Sequence, residues 1–241
     1  KSSVSYLPFM STVINNALRI FFVMDILVIS AHPDDEVIGM GGTLYKLSKQ
    51  KHRIHLCVVT DGTGNNKPNT KEYEKISKLR REACIKSSNF LGIKSVDFLG
   101  LRDGYLDSIP QIEINQSLEK LIKKYNPQIV YTTPNHDLHK DHFKVYECTV
   151  VATRPHSNSV LRVLNYEFPT VQKSVFLPNV FIDISKEFPK KISAFKFHKT
   201  EQQKFPLPRS LKSIRNLAER RGIESNLKLA EGFNLIRDIS K

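Results

Sequence analysis

The chain has 241 residues, 40% of them hydrophobic, which is enough to bury one substantial core and fits a single α/β domain. Its 37 basic and 24 acidic residues leave a formal charge of +13. The basic residues are spread through Lys46–Arg53, Lys75–Arg81, Lys186–Lys204 and Arg209–Arg221 with no RNP or zinc-finger motif beside them, so they read as solvated helix faces that attract anions rather than as a nucleic-acid surface.

From the N-terminus, "INNALRIFFVMDILVIS" is interrupted by Asn15, Asn16, Arg19 and Asp25, short of the roughly 18 apolar residues of a membrane span. Residues 1–23 lack a signal-peptide cleavage pattern, and Met24 is placed to start the core, which makes 1–23 an N-terminal extension and 24–241 a single domain. "DILVIS" (Asp25 to Ser30) is a buried strand by its continuous apolar run. After Gly41-Gly42, "TLYKLSKQ" reads as a helix with Leu44 and Leu47 inward. "RIHLCVVTDG" is a second strand ending at Gly62, and the Gly- and Asn-rich "GTGNNKPNTKEY" is a long loop of the kind that lies over a site. A helix from Lys71 to Phe90 stops at Gly92, a C-cap residue. "SVDFLGL", a helix over Ile112–Tyr125 and "QIVYTT" (Gln128 to Thr133) continue the alternation. Such alternation predicts an α/β, Rossmann-like doubly wound, mainly parallel sheet with helices on both faces. Three scattered cysteines, Cys57, Cys84 and Cys148, exclude a disulfide framework or a cysteine-based zinc site and fit a reducing, cytoplasmic compartment.

Ligands in such sheets sit outside the carboxyl ends of the strands. There the sequence places His32, Asp34, Asp35 and Glu36 after the first strand, Asp61 after the second, Asp103 after the third and "PNHDLHKDH" (Pro134 to His142) after the fourth. A catalytic zinc takes three nitrogen or oxygen ligands and leaves one position open. His32 and Asp35 can supply two and a histidine of the fourth loop the third; Asp34 is then free as a general base, and the remaining histidine can stabilise an oxyanion. Capping of the following helix accounts for one acid near His32, but not for a second histidine-rich loop at a compatible strand end. Dinucleotide binding is excluded because "GMGGTL" has Leu44 where a third glycine belongs, and there is neither a P-loop nor a GxSxG elbow.

"AHPDDEVIGMGG" followed by "PNHDLHKDH" resembles the PIG-L/LmbE family of zinc-dependent N-deacetylases, and both motifs match in full. "LRREACIKSSNFLGI", "FLGLRDG", "NYEFPT", "FLPNVFIDIS", "PLPRS" and "AERRGIESNLKLAEGF" are similar to bacterial LmbE-like members, so the likeness runs from Met24 to about Arg237. The resemblance implies that His32, Asp35 and His142 bind Zn2+, for which iron or cobalt could substitute at such a nitrogen and oxygen site. It implies Asp34 as general base, His139 as the oxyanion-stabilising residue and Asp141 as an acid orienting a neighbouring histidine. Arg80, with Arg81 one register step away, and Asp103 are the implied substrate contacts. The implied reaction is hydrolysis of an acetamido group on an N-acetylglucosamine-type sugar carried by a larger scaffold, with room for an anionic aglycone. Another metal-dependent amidase, a phosphoesterase or a non-catalytic basic binding protein are the competing classes. His136 is expected as a surface loop residue, His52, His55, His156 and His198 carry no motif, and Glu36 either supports the site or caps the helix.

Overall fold

The structure, a computed structural model, describes residues 23–64 and 66–240, so the expected N-terminal extension lies outside it except for Val23. Strand β1 (Asp25–Ser30) leads to α1 (Asp35–Lys49), β2 (Arg53–Thr60), α2 (Lys71–Leu91) and β3 (Ser95–Leu101). After α3 (Gln111–Tyr125) come β4 (Ile129–Thr132), α4 (Lys140–Ala152) and β5 (Arg162–Tyr166). The chain closes with β6 (Val180–Asp183), α5 (Phe188–Phe195), α6 (Leu211–Ser225) and β7 (Ala230–Asp238).

All seven strands form one sheet in the order β3-β2-β1-β4-β5-β7-β6. The first five are parallel, while β7 runs antiparallel to β5 and β6, so the expected doubly wound, mainly parallel fold is what forms. Both faces of β1 are covered, which is why its apolar run does not alternate. Ile26 and Val28 pack with Leu44 of α1, Cys84 of α2, Phe195 of α5 and Ala218 of α6. Leu27 and Ile29 pack with Leu118 of α3 and Val145 of α4 on the opposite face. From β1 the chain proceeds outward to β2 and β3 on one side, and β4 and β5 lie on the other. The gap between the ends of β1 and β4 is therefore the switch point at which sheets of this kind bind ligands.

Helix α1 starts six residues before the expected Gly41-Gly42 boundary. Its glycines lie within the helix because neighbours leave no room for a side chain: a Cβ on Gly39 would run into the Tyr166 ring, and one on Gly42 would sit 2.8 Å from Ile184. The backbone leaves helical geometry at Met40 (φ −140°, ψ 23°), and the turn resumes with free amides. The Glu231 carboxylate of β7 accepts from Gly42 N at 3.0 Å and Thr43 N at 2.7 Å, and pairs with the buried Lys191 ammonium at 2.6 Å. The other boundaries fall close to those expected; α2 is capped by Thr70, whose hydroxyl accepts from Tyr73 N, and ends at Gly92 with φ 81°.

Candidate active site

Three side chains converge at the switch point. His32 follows β1, Asp35 opens α1, and His142 sits in the first turn of α4 after β4. His32 Nδ1 lies 3.0 Å from His142 Nε2 and 3.3 Å from Asp35 Oδ2, and the third edge, Asp35 Oδ2 to His142 Nε2, is 3.4 Å. All three residues are buried. One proton can bridge only one edge of such a triangle, whereas a cation binds all three corners. A tetrahedral zinc with bonds of about 2.0–2.1 Å sets its ligand atoms about 3.3 Å apart, so the donor set fits zinc in kind and spacing.

The outer nitrogens of both rings are also occupied. His142 Nδ1 is 2.6 Å from Asp137 Oδ2, and His32 Nε2 is 3.0 Å from Asp103 Oδ1. A carboxylate on the far nitrogen holds the proton there and turns the other lone pair inward. Asp137 is the residue that sequence reasoning left without a role. Asp141, expected to orient a histidine, stands farther from His32 Nε2, at 3.5 Å. Its oxygens mainly accept from Gly104 N at 2.6 Å and Leu106 N at 3.2 Å, tying the loop after β3 to α4. Asp103, expected at sugar hydroxyls, also accepts from Gly64 N at 2.9 Å and so fixes the long loop over the site. Burial would raise the Asp35 carboxyl, but the His142 and His32 imidazoles hold it well below the usual carboxylate range.

Other groupings of the same residues are possible, because His32, His139 and His142, or His32, Asp103, His139 and Asp141, also offer atoms within 4.8 Å of one another. The triangle with Asp35 has every edge at 3.4 Å or less, and His139 Nδ1 is already used as the acceptor of Asp141 N at 3.3 Å. Burial and the neighbouring His32 and His142 lower the His139 pKa, which favours the neutral ring. With Nδ1 accepting, its proton sits on Nε2, which makes it a donor. His139, Asp35, Ile38, Phe168, Val171 and Arg209 are among the residues lining a cavity of about 450 Å³ over the triangle.

Asp34 occupies the N-cap position but caps nothing with its side chain. Its Oδ1 instead accepts from Arg80 Nη2 at 2.9 Å, and its buried Oδ2 makes no hydrogen bond. Arg80 is buried and also donates to Gly62 O at 2.6 Å, while Arg81 is exposed and stacks over Phe98. Of the two register alternatives, then, Arg80 faces the site, and it does so through Asp34. Glu36 lies beneath, buried against Ser30 and Cys84, where burial pushes its carboxyl up to about 8.

Two histidines depart from expectation. His136 is buried, not on the surface: its ring packs on Phe176 and neither ring nitrogen has a hydrogen-bond partner among the described residues. His198, which carries no motif, is buried with Nε2 2.9 Å from Ser87 Oγ. Burial pushes each down to about 4. Between pH of about 6.5 and 4 the unfolded chain binds protons that the folded chain refuses, so stability is lost as the pH falls through that window, by up to about 3 kcal/mol for His198 and less for His136. Urea unfolding of the parent and of His136→Phe from pH 7 to 4.5 checks this: the variant is expected to lose less stability on acidification, and parallel pH profiles would refute the assignment.

Because Asp137 fixes the inward lone pair of His142, Asp137→Asn is expected to weaken metal affinity by about 10–100-fold, as read by competition with a chromogenic chelator. Unchanged affinity would show that His142 needs no such partner.

Residues 27–153 match the family model described as PIG-L, GlcNAc-PI de-N-acetylase. An uncharacterized deacetylase, YaiS, of Escherichia coli is 30% identical over 184 residues, spanning 73% of this chain and 90% of that protein. The N,N'-diacetylchitobiose deacetylase of Pyrococcus horikoshii superposes with a TM-score of 0.75 at 21% identity, covering 98% of this chain and 95% of the other. The 4-carboxy-2-hydroxymuconate hydratase of Pseudomonas putida KT2440 shares the fold too, with a TM-score of 0.72 at 20% identity over 91% and 98% of the two chains. The fold alone therefore spans more than one reaction. Both motifs that build the triangle fall inside the matched stretch, and on that match and the likeness to YaiS the chain belongs to the PIG-L family of de-N-acetylases.

Proposed function

We propose that the protein hydrolyses the acetamido group of an N-acetylglucosamine-type sugar on a larger scaffold, using zinc held by His32, Asp35 and His142. The observation that carries this reading is the triangle of inward-facing donors, each edge between 3.0 and 3.4 Å, under an open cavity. When bound, the ion supplies Lewis acidity to water and to the acyl oxygen. Asp34 then takes the proton from the attacking water, and its Oδ2, which makes no hydrogen bond among the described residues, is the oxygen free to do so. His139 Nε2–H donates to the oxyanion as the carbonyl carbon becomes tetrahedral. The carbon–nitrogen bond breaks, Asp34 or His139 returns a proton to the departing nitrogen, and acetate and the free amine result.

Next to the catalytic cavity, sharing Asp137 and Leu138 with it, is a cleft of about 290 Å³ where Lys140, Lys144 and Lys173 are matched by Asp107, Asp137 and Glu147. The support for an anionic aglycone is therefore the formal charge of +13, not this cleft. Among the described residues no helix is long and apolar enough to cross a membrane. The buried free thiols of Cys57, Cys84 and Cys148 support a reducing compartment such as the cytoplasm.

The test is acetate release, with chelator and with added zinc, from free N-acetylglucosamine and its lipid-, nucleotide- and inositol-linked forms. Chelator-sensitive release from any member supports the reading and begins to identify the scaffold. No release despite stoichiometric metal would transfer the site to phosphoesters, other amides or hydration.

A further inference from the structure

Asp34 belongs to a closed ring of alternating charges. Arg80 Nη2 reaches Asp34 Oδ1 at 2.9 Å and Glu201 Oε2 at 3.3 Å. Glu201 Oε2 accepts from Arg209 Nη1 at 2.6 Å, and Arg209 Nε returns to Asp34 Oδ2 at 3.5 Å. The side chains of Asp34, Arg80, Glu201 and Arg209 are 0%, 7%, 13% and 28% exposed, so the ring is buried at Asp34 and opens towards solvent only at Arg209. Two carboxylates this close to each other are sustained only by both guanidinium groups.

Glu201 and Arg209 come from the segment between α5 and α6, outside the stretch 27–153 that the family model matches. That segment is built to hold them. Gln203 N donates to Arg209 O at 3.2 Å and Arg209 N donates to Gln203 Oε1 at 3.0 Å, a reciprocal clasp at the base of the loop. Arg209 and Gln203 also line the catalytic cavity. The terminal torsion of an aspartate is soft, with no staggered well to fix it. Arg80 secures Oδ1 alone, and Arg209, beyond hydrogen-bond distance, attracts Oδ2 without occupying it.

We propose that Glu201 and Arg209 are positioning residues for hydrolysis: they close a charge ring that holds the Asp34 carboxylate in one orientation with Oδ2 free to accept a proton. The proposal rests on the reading of Asp34 as general base. It assigns to the C-terminal part of the chain a direct share in the chemistry of the N-terminal motif.

The experiment uses full-length, metal-loaded Arg209→Ala, Arg209→Lys and Glu201→Gln, assayed on whichever sugar of the panel the parent turns over. Arg209→Ala and Glu201→Gln are expected to lower kcat by about 10–100-fold with KM and metal content nearly unchanged. Arg209→Lys should recover part of the loss, and added guanidinium ion should restore part of the Arg209→Ala rate, which a merely structural defect would not allow. A rise confined to KM would make Arg209 a substrate contact and overturn the proposal, as would parent-like kcat. Asp34→Asn, run in parallel, separates the two readings. If it turns over like the parent, the base assignment itself fails; if it is inactive while the ring variants are normal, only the ring proposal fails. A double-mutant cycle of Arg209→Ala with Asp34→Asn, read by urea unfolding, needs no substrate: non-additive midpoint shifts are expected, and additive ones would refute the coupling.

Discussion

Asp34→Asn is expected to lower turnover by about 10²–10⁴-fold while the protein keeps its metal, the range that removal of a positioned general base produces. The size and shape of the side chain barely change, and Asn retains an oxygen for Arg80, so the main quantity altered is the capacity to accept a proton. The Asp34 carboxylate pairs with Arg80 and Arg209 rather than with the donor triangle, so metal retention is not expected to depend on its charge. Metal analysis alongside kcat therefore decides the matter. Loss of metal together with activity would move Asp34 into the coordination set and leave the base unassigned.

His142→Ala is expected to abolish both metal retention and hydrolysis. It removes one corner of the triangle and leaves Asp137 buried with no imidazole to hold. Loss of the ion forfeits Lewis-acid stabilisation of several kcal/mol, which corresponds to roughly 10³-fold or more in rate. The structural cost should be contained, because the backbone bond from Thr133 Oγ1 to His142 O, 2.7 Å long, does not involve the imidazole. Equilibrium dialysis with zinc and the acetate assay read the two effects separately. A variant that still binds zinc at the parent's affinity would disqualify the triangle as the metal site.

The contrast between the two variants tracks what could be read from the residue order. β1 was legible because four consecutive apolar residues, Ile26 to Ile29, too short a run for a buried helix, read as a strand covered on both faces, and the acids and histidine beyond it then fall at the sheet's carboxyl edge. The pairing of that edge with the "PNHDLHKDH" loop was legible for the same reason. The start of α1 was not, since Gly39, Gly41 and Gly42 look like a break until Tyr166 and Ile184 are seen against them. His136 looked like a loop-surface residue because nothing nearby in sequence announces Phe176 above its ring. Asp137 was visible within its motif but had no role until His142 Nδ1 was found on it. Glu201 had no local signal and Arg209 only its place in "PLPRS": their meaning comes from contacts with Arg80 and Asp34, far away along the chain. Local patterning announces elements and motifs, whereas charge partners from distant segments emerge only when the chain closes.

The Glu231 carboxylate bears on how the chain can be divided. It accepts the two amides that open the second part of α1, neutralises Lys191, and belongs to β7, the strand that joins β6 to the rest of the sheet. A fragment cut after Thr153 would keep both signature motifs and the whole matched stretch. It would also leave Gly42 and Thr43 without acceptors, a few residues along the same helix from the proposed metal ligand Asp35. The smallest piece of this protein expected to fold and bind metal therefore runs through β7, and a signature-bearing N-terminal half is not an independent module.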